Sequence, residues 1–114
     1  MMLLVAIAWA ALYLPYLGSR EIHGEEARRI LPARTMLQNG DWIVPEIGGM
    51  EYSRKPPLIN WCIAASFLVT GEQTEFSSRL PLVLWLLAFA LTATWALTPR
   101  LGPWRAGCVP LFML

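Results

Sequence analysis

Residues 79–99 read RLPLVLWLLAFALTATWALTP, with one charge at the first position and none after it. An uncharged apolar run of about 20 residues matches the hydrocarbon core of a bilayer, near 30 Å at about 1.5 Å per residue. The run predicts a transmembrane helix over 79–98, with Pro81 near its start and Pro99 ending it. Upstream, residues 1–16 form a second uncharged block. It would reach roughly 24 Å as a helix, with Tyr13 and Tyr16 at the interface and Pro15 and Gly18 closing it. A cleaved leader fits this block less well, since no Lys or Arg precedes it and the apolar run continues past Ala8-Trp9-Ala10. Residues 57–70 are apolar apart from Asn60 and Ser66 and give a shorter candidate span. On length alone a buried or re-entrant helix suits them equally. Residues 104–114 read as the truncated start of a fourth span.

Composition agrees with this reading. Of 114 residues, 56% are hydrophobic and 15% charged, where an average soluble domain carries about a quarter charged residues. The expected fold is all-α: a fragment of a polytopic transmembrane helix bundle with an amphipathic juxtamembrane helix in its first loop. A net charge of +1, with the bases matched by acids in the same segment, excludes a nucleic-acid surface. The apolar content excludes intrinsic disorder. Cys62 and Cys108 each lie in an apolar run and read as small buried hydrophobes. With one histidine and no cluster of ligand residues at short spacing, no metal-ligand set is visible in the sequence, and whether a divalent metal takes part is left open.

The loop over 17–56 holds six acidic and six basic residues and nearly all the candidate chemistry. A helix is expected from Gly24 to Gln38, with Glu25 and Glu26 in its first turn, where carboxylates suit the positive end of the dipole. Ala27, Ile30, Leu31, Met36 and Leu37 form its apolar stripe. Pro32 should kink it, and Asn39-Gly40 should stop it. Such a helix, tied to a span, is expected to lie along the membrane surface. Beyond it, 41–45 read as extended and Gly48-Gly49 as a turn. Asp41 reads as a turn residue.

Glu25 stands three and four residues from Arg28 and Arg29, within reach of both on one helix face. Two readings follow from that spacing. The cluster is either a solvated helix start with weak ion pairs, or a site for an anionic lipid. In the second reading a carboxylate acts as general base while Arg28 and a second cation, Lys55, hold a phosphate. Of the remaining residues, His23 is either a proton carrier or a solvated loop histidine. Trp42, Trp61 and Trp104 read as interfacial anchors, and Trp9, Trp85 and Trp95 as packing within spans. Asn60 needs a polar partner.

The order of motifs adds to this. An apolar helix is followed by Glu25-Glu26-x-Arg28, then Arg34-Thr35-Met36-Leu37-Gln38-Asn39-Gly40-Asp41-Trp42-Ile43-Val44-Pro45. After these come Tyr52-Ser53-Arg54-Lys55-Pro56-Pro57-Leu58 with Trp61, Gly71-Glu72, and Arg79-Leu80-Pro81. This order resembles the amino-terminal part of the GT-C membrane glycosyltransferases, over about residues 5–114. The likeness is strongest to the branch of aminoarabinose lipid A transferases and protein mannosyltransferases. The resemblance implies an inverting transferase that moves a sugar from a polyprenyl-phosphate carrier to a lipid or protein acceptor at the outer face of the bacterial cytoplasmic membrane. It implies Glu25 at the family's catalytic acidic position, where Asp is usual, with Glu26 as the second candidate. It further implies Arg28, Lys55 and the adjacent Arg54 on the donor phosphate, and Arg79 in a structural role at a helix start.

Topology sets two arguments against each other. Counting Lys and Arg places the loop 17–56 in the cytoplasm, whereas the resemblance implies an extracytoplasmic loop. The second is preferred here, since six acids share that loop and a need for cations can override the bias. Two non-catalytic alternatives rest on the residues alone: a small integral membrane protein, or a transporter fragment with Asn60 near a substrate path.

Overall fold

A computed structural model describes residues 1–112. Met113 and Leu114, the last two residues of the expected truncated start of a fourth span, lie outside the described residues. In chain order the elements are α1 (Met2–Tyr13), α2 (Ala27–Asn39), β1 (Glu46–Ile47), β2 (Met50–Glu51), α3 (Leu58–Thr70), α4 (Glu75–Leu101) and α5 (Pro103–Leu111). The molecule is mostly helical, as expected, with one small antiparallel hairpin that the all-α expectation omitted. By length and composition α4 alone among the described residues can cross a membrane. At 27 residues it reaches about 40 Å, whereas α1 and α3 are apolar but reach only about 20 Å each.

Two compact units can be told apart. One is Gly18–Pro81, and the other joins Met1–Leu17 to the chain from Leu82 onward. Helix α2 packs on α3 in the first unit. Ile30 and Ala33 of α2 meet Ile63, Ala64 and Phe67 of α3, with Ile22, Leu37 and Ile59 partly buried around them. Each fully buried large side chain here contributes about 1.5–3 kcal/mol relative to exposure. The apolar face of α2 is therefore covered by α3. Of the expected stripe Ile30 and Met36 are buried and Ala27 and Leu37 half-buried, but Leu31 is exposed, and Pro32 and Ala33 are buried beside them. Helix α2 continues through Pro32 and ends where expected, with Gly40 in the left-handed region and its amide donating to the Met36 carbonyl.

Asp41 Oδ1 accepts from the amides of Ile43 and Val44 at 3.0 and 3.3 Å. This is the turn expected of Asp41, and it makes 41–45 an irregular loop rather than extended chain. The following hairpin pairs Glu46 with Glu51 and Ile47 with Met50. Gly48 and Gly49 link the strands with φ of 61° and 80°, as a type I′ turn requires of both central residues.

Helix α4 starts four residues before the expected Arg79. Thr74 and Ser77 cap it reciprocally: the Ser77 amide donates to Thr74 Oγ1 at 3.3 Å and the Thr74 amide to Ser77 Oγ at 2.9 Å. This is a capping box with Ser in place of the usual Glu or Gln. Pro81 removes the amide that would bond the Ser77 carbonyl. The Ser66 hydroxyl of α3 donates to that carbonyl at 2.6 Å, so the proline's missing bond becomes a link between α3 and α4.

The second unit is built on close packing. Val5 and Trp9 of α1 are buried, as are Val83, Ala90 and Thr94 of α4 and Ala106 of α5. The Trp9 indole donates to the Val83 carbonyl at 2.8 Å, which satisfies its one polar group. Gly107 lies against the Met1 side chain, which would have to shift to admit a Cβ. Thr92, Thr94 and Thr98 each turn their hydroxyl to the carbonyl one turn back, so that the apolar helix carries them without an unpaired donor.

Three expectations fail in this unit. Helix α4 runs past Pro99 to Leu101, and the break comes at Gly102 (φ 77°, ψ 161°). Proline disfavours helix in the residue before it and removes one bond, but it does not prevent a last turn from closing. Trp85 and Trp95 are exposed rather than packed, because they stand on the face of α4 away from Val83, Ala90 and Thr94. Cys108 is exposed rather than buried, and it is a free thiol, as is the half-buried Cys62 of the first unit.

Candidate functional site

The unit Gly18–Pro81 brings charges together from three stretches of chain: the turn into α2, the loop before α3 and the start of α4. Residues 24–26 form a turn leading into α2, with the Arg28 amide donating to the Gly24 carbonyl and the Ile30 amide to the Glu26 carbonyl. That winding puts Arg28 one turn beyond Glu25. Its Nη1 donates to Glu25 Oε1 at 2.6 Å.

Lys55 arrives from 30 residues away. The chain between is held by the Asp41 turn, by the Tyr52 amide donating to the Pro45 carbonyl at 2.7 Å, and by the Trp61 indole donating to the Trp42 carbonyl at 2.6 Å. With that loop fixed against α2 and α3, Lys55 Nζ donates to Glu25 Oε2 at 2.6 Å. Each oxygen of the Glu25 carboxylate thus holds one cation. All three side chains are open to solvent, at 58% for Glu25, 59% for Arg28 and 42% for Lys55.

The electrostatic consequence is direct. The hydrogen bond and charge of Lys55, reinforced by Arg28, hold the Glu25 carboxyl below the usual glutamate range. Glu25 is therefore a carboxylate throughout the neutral range.

Glu26 turns elsewhere. Arg79 of α4 grips it with both arms of the guanidinium, Nε to Oε1 at 2.6 Å and Nη2 to Oε2 at 3.0 Å. Arg79 Nη2 also reaches the Glu21 carbonyl at 3.4 Å. This pair is more enclosed, with Arg79 16% and Glu26 35% exposed. Two neighbouring carboxylates thus stand in different surroundings, and the spacing of Glu26 from Arg29 yields no ion pair.

Of the residues expected at a site, Glu25, Arg28 and Lys55 come together, and Glu26 joins Arg79 instead. Arg54 is exposed and takes part in none of these ion pairs. His23 is solvated, its Nδ1 2.9 Å from the Glu21 carbonyl. Asn60 is buried in the first turn of α3. The pairing of Glu26 with Arg79 escaped the sequence reading, although a lone arginine at the mouth of an apolar helix is a signal that a counter-charge is needed. Arg34, also unforeseen, donates from Nη2 to the Gln73 carbonyl at 2.9 Å and ties α2 to the turn before α4. No cluster of three or more His, Cys, Asp or Glu that could hold a metal ion occurs among the described residues.

Part of the chain is similar to known proteins. The chain is 38% identical over 71 residues to the undecaprenyl phosphate-alpha-4-amino-4-deoxy-L-arabinose arabinosyl transferase of Pseudomonas savastanoi pv. phaseolicola, a match covering 59% of this chain and 13% of the relative. It is 37% identical over 78 residues to the Serratia proteamaculans protein of that name, covering 68% of this chain and 14% of the relative. With the Pectobacterium atrosepticum protein of that name it shares 35% identity over 92 residues, covering 80% of this chain and 16% of the relative. The matched region thus spans about one-seventh of the length of these curated relatives. No protein-family model matches the chain, and no solved structure does.

Proposed function

We propose that this chain is the amino-terminal part of a GT-C-type membrane glycosyltransferase that takes its sugar from a polyprenyl-phosphate carrier. The observation that carries the reading is the Glu25 carboxylate, exposed, ionised and shared between Arg28 and Lys55. The relatives' printed names, which specify an undecaprenyl-phosphate-linked aminoarabinose, support the class of donor. A lipid acceptor of the lipopolysaccharide type fits better than a protein acceptor, because those names belong to aminoarabinose transfer. In this reading 1–16, 57–70 and 79–98 lie in the cytoplasmic membrane, and the loop 17–56 faces outward.

The chemistry follows from the charges. Arg28 and Lys55 offer charge-assisted donors to the donor phosphate. A phosphate that engages them competes with Glu25, and each oxygen it displaces regains a free lone pair. Glu25 then accepts the proton of an acceptor hydroxyl as that oxygen attacks the anomeric carbon. The bond from anomeric carbon to phosphate oxygen breaks with inversion, and the polyprenyl phosphate leaves with its new negative charge held by the two cations. Glu25 holds its negative charge at neutral pH and so needs no prior deprotonation. Arg54, exposed and next to Lys55, serves as an additional attraction for the anionic carrier.

Glu25→Gln in the full-length protein tests this reading. The amide keeps the shape and can no longer take a proton, so transfer from the polyprenyl-phosphate sugar is expected to disappear while the protein stays folded. Near-normal turnover in that variant overturns the assignment.

A further inference from the structure

We propose that Arg79, acting through Glu26, is a positioning residue for Glu25: the two neighbouring carboxylates divide their roles, one facing the ligand and the other fixing where it stands. The effect on turnover rests on the reading of Glu25 above, whereas the geometry does not depend on it.

The grip of Arg79 on Glu26 is two-pronged, with both carboxylate oxygens engaged at 2.6 and 3.0 Å. A planar guanidinium held this way fixes orientation as well as distance. The same group reaches the Glu21 carbonyl, so the segment 21–26 is held to α4 at both ends.

The anchor is itself well supported. Arg79 follows directly on the capped turn of α4, where Thr74 and Ser77 satisfy each other's amides and Ser66 of α3 bonds the Ser77 carbonyl. Glu26 in turn is the N-cap of α2, directly before Ala27, with helical backbone angles and no side-chain cap bond to its own helix. Its carboxylate is engaged by α4 instead. Consecutive Cα atoms lie about 3.8 Å apart, so any shift of Glu26 carries Glu25 with it. Glu25 has no such anchor. Its partners are two flexible, exposed cations, and exposed ion pairs by themselves fix a side chain weakly. A displacement of about 1 Å at a reacting group can lower turnover roughly 10²-fold.

The test uses the full-length protein in lipid, with two readouts. One is the rate at which a soluble acetylating reagent modifies Lys55, followed by peptide mass spectrometry. Lys55 is the only lysine in these 114 residues, and its pairing with Glu25 protects it. The other is kcat and KM for the polyprenyl-phosphate sugar. Glu26→Gln is expected to raise Lys55 acetylation about two- to fivefold, the span an exposed ion pair can protect. It should lower kcat about 10- to 100-fold while KM for the donor stays near its original value. The reversed pair E26R/R79E should recover both readouts in large part.

Unchanged Lys55 acetylation in a folded Glu26→Gln protein overturns the proposal. So does a loss of turnover as deep as that of Glu25→Gln with no recovery in the reversed pair, which would put Glu26 itself on the reacting atoms. Retained turnover in Glu25→Gln refutes the base assignment alone, and Lys55 acetylation then still decides the positioning role. Should Glu26→Gln not fold, Glu26→Asp is measured in the same way. It keeps the charge and shortens the reach, and an acetylation rate above that of the unaltered protein is required of it.

Discussion

Glu25 and Glu26 are adjacent in the chain and opposite in circumstance. Glu25 is 58% exposed and takes one hydrogen bond on each oxygen from two separate cations. Glu26 is 35% exposed and takes both of its bonds from one guanidinium that is itself 16% exposed. The cause is the turn at 24–26. One residue of advance into α2 rotates the side chain by about 100°, enough to point one carboxylate at the 52–57 loop and the other at α4. The contrast teaches that charge count does not predict role. Two single cations in water exchange readily with an incoming anion, while a two-pronged, partly enclosed pair does not.

Four measurements break or sharpen this contrast. The largest effect is expected for Glu25→Gln, with transfer reduced about 10²- to 10⁴-fold, the range of general-base catalysis, and no change in thermal unfolding. A drop in unfolding temperature would make Glu25 a structural residue and erase the contrast. Next comes Arg79→Gln, which leaves Glu26 without its partner. Loss of one member of a fully buried pair costs about 3–5 kcal/mol. The partial exposure here reduces that to about 1–2 kcal/mol, read from thermal or denaturant unfolding. A neutral outcome would make the pair as dispensable as a surface ion pair.

Third, Thr74→Ala removes the cap of the helix that carries Arg79 and should destabilise the protein by about 1 kcal/mol. Lys55 acetylation should then rise less than in Glu26→Gln. The smallest effect concerns pH. Lys55 holds the Glu25 carboxyl low, so Lys55→Gln should move the acid limb of the residual activity upward, toward the ordinary glutamate range. The sign for stability follows from the same shift. Whatever the Glu25 contacts contribute is fully present above the ordinary glutamate value and is lost as pH falls through the lowered one. An acid limb that stays in place in Lys55→Gln would mean that another group controls it.

Much of the architecture was legible along the chain. The uncharged run after Arg79 announced a long apolar helix, and α4 is that helix. Asn39-Gly40 announced the end of α2, and Asp41 its turn. These signals are written in neighbouring residues, because caps, turns and helical periodicity act over four residues or fewer. The start of α4 was equally local, in Thr74 and Ser77, but a capping box with Ser at its second position is easily passed over. Pro99 misled because a proline weakens a helix end without deciding where the last turn closes.

The candidate site was legible only in part. Sequence by itself determined that Glu25 can meet Arg28, since a spacing of three brings them together on any helix. It did not determine that Glu25 meets Lys55 across 30 residues, or that Glu26 meets Arg79 across 53. Tertiary structure decided both. The α2–α3 core of Ile30, Ala33, Ile63, Ala64 and Phe67 sets where α2 begins relative to the loop at Lys55. The Ser66–Ser77 bond, formed at the carbonyl that Pro81 leaves unpaired, sets where α4 begins relative to α3. Ion pairs act only over a few ångströms, so which carboxylate meets which cation is decided by where packing places the backbone.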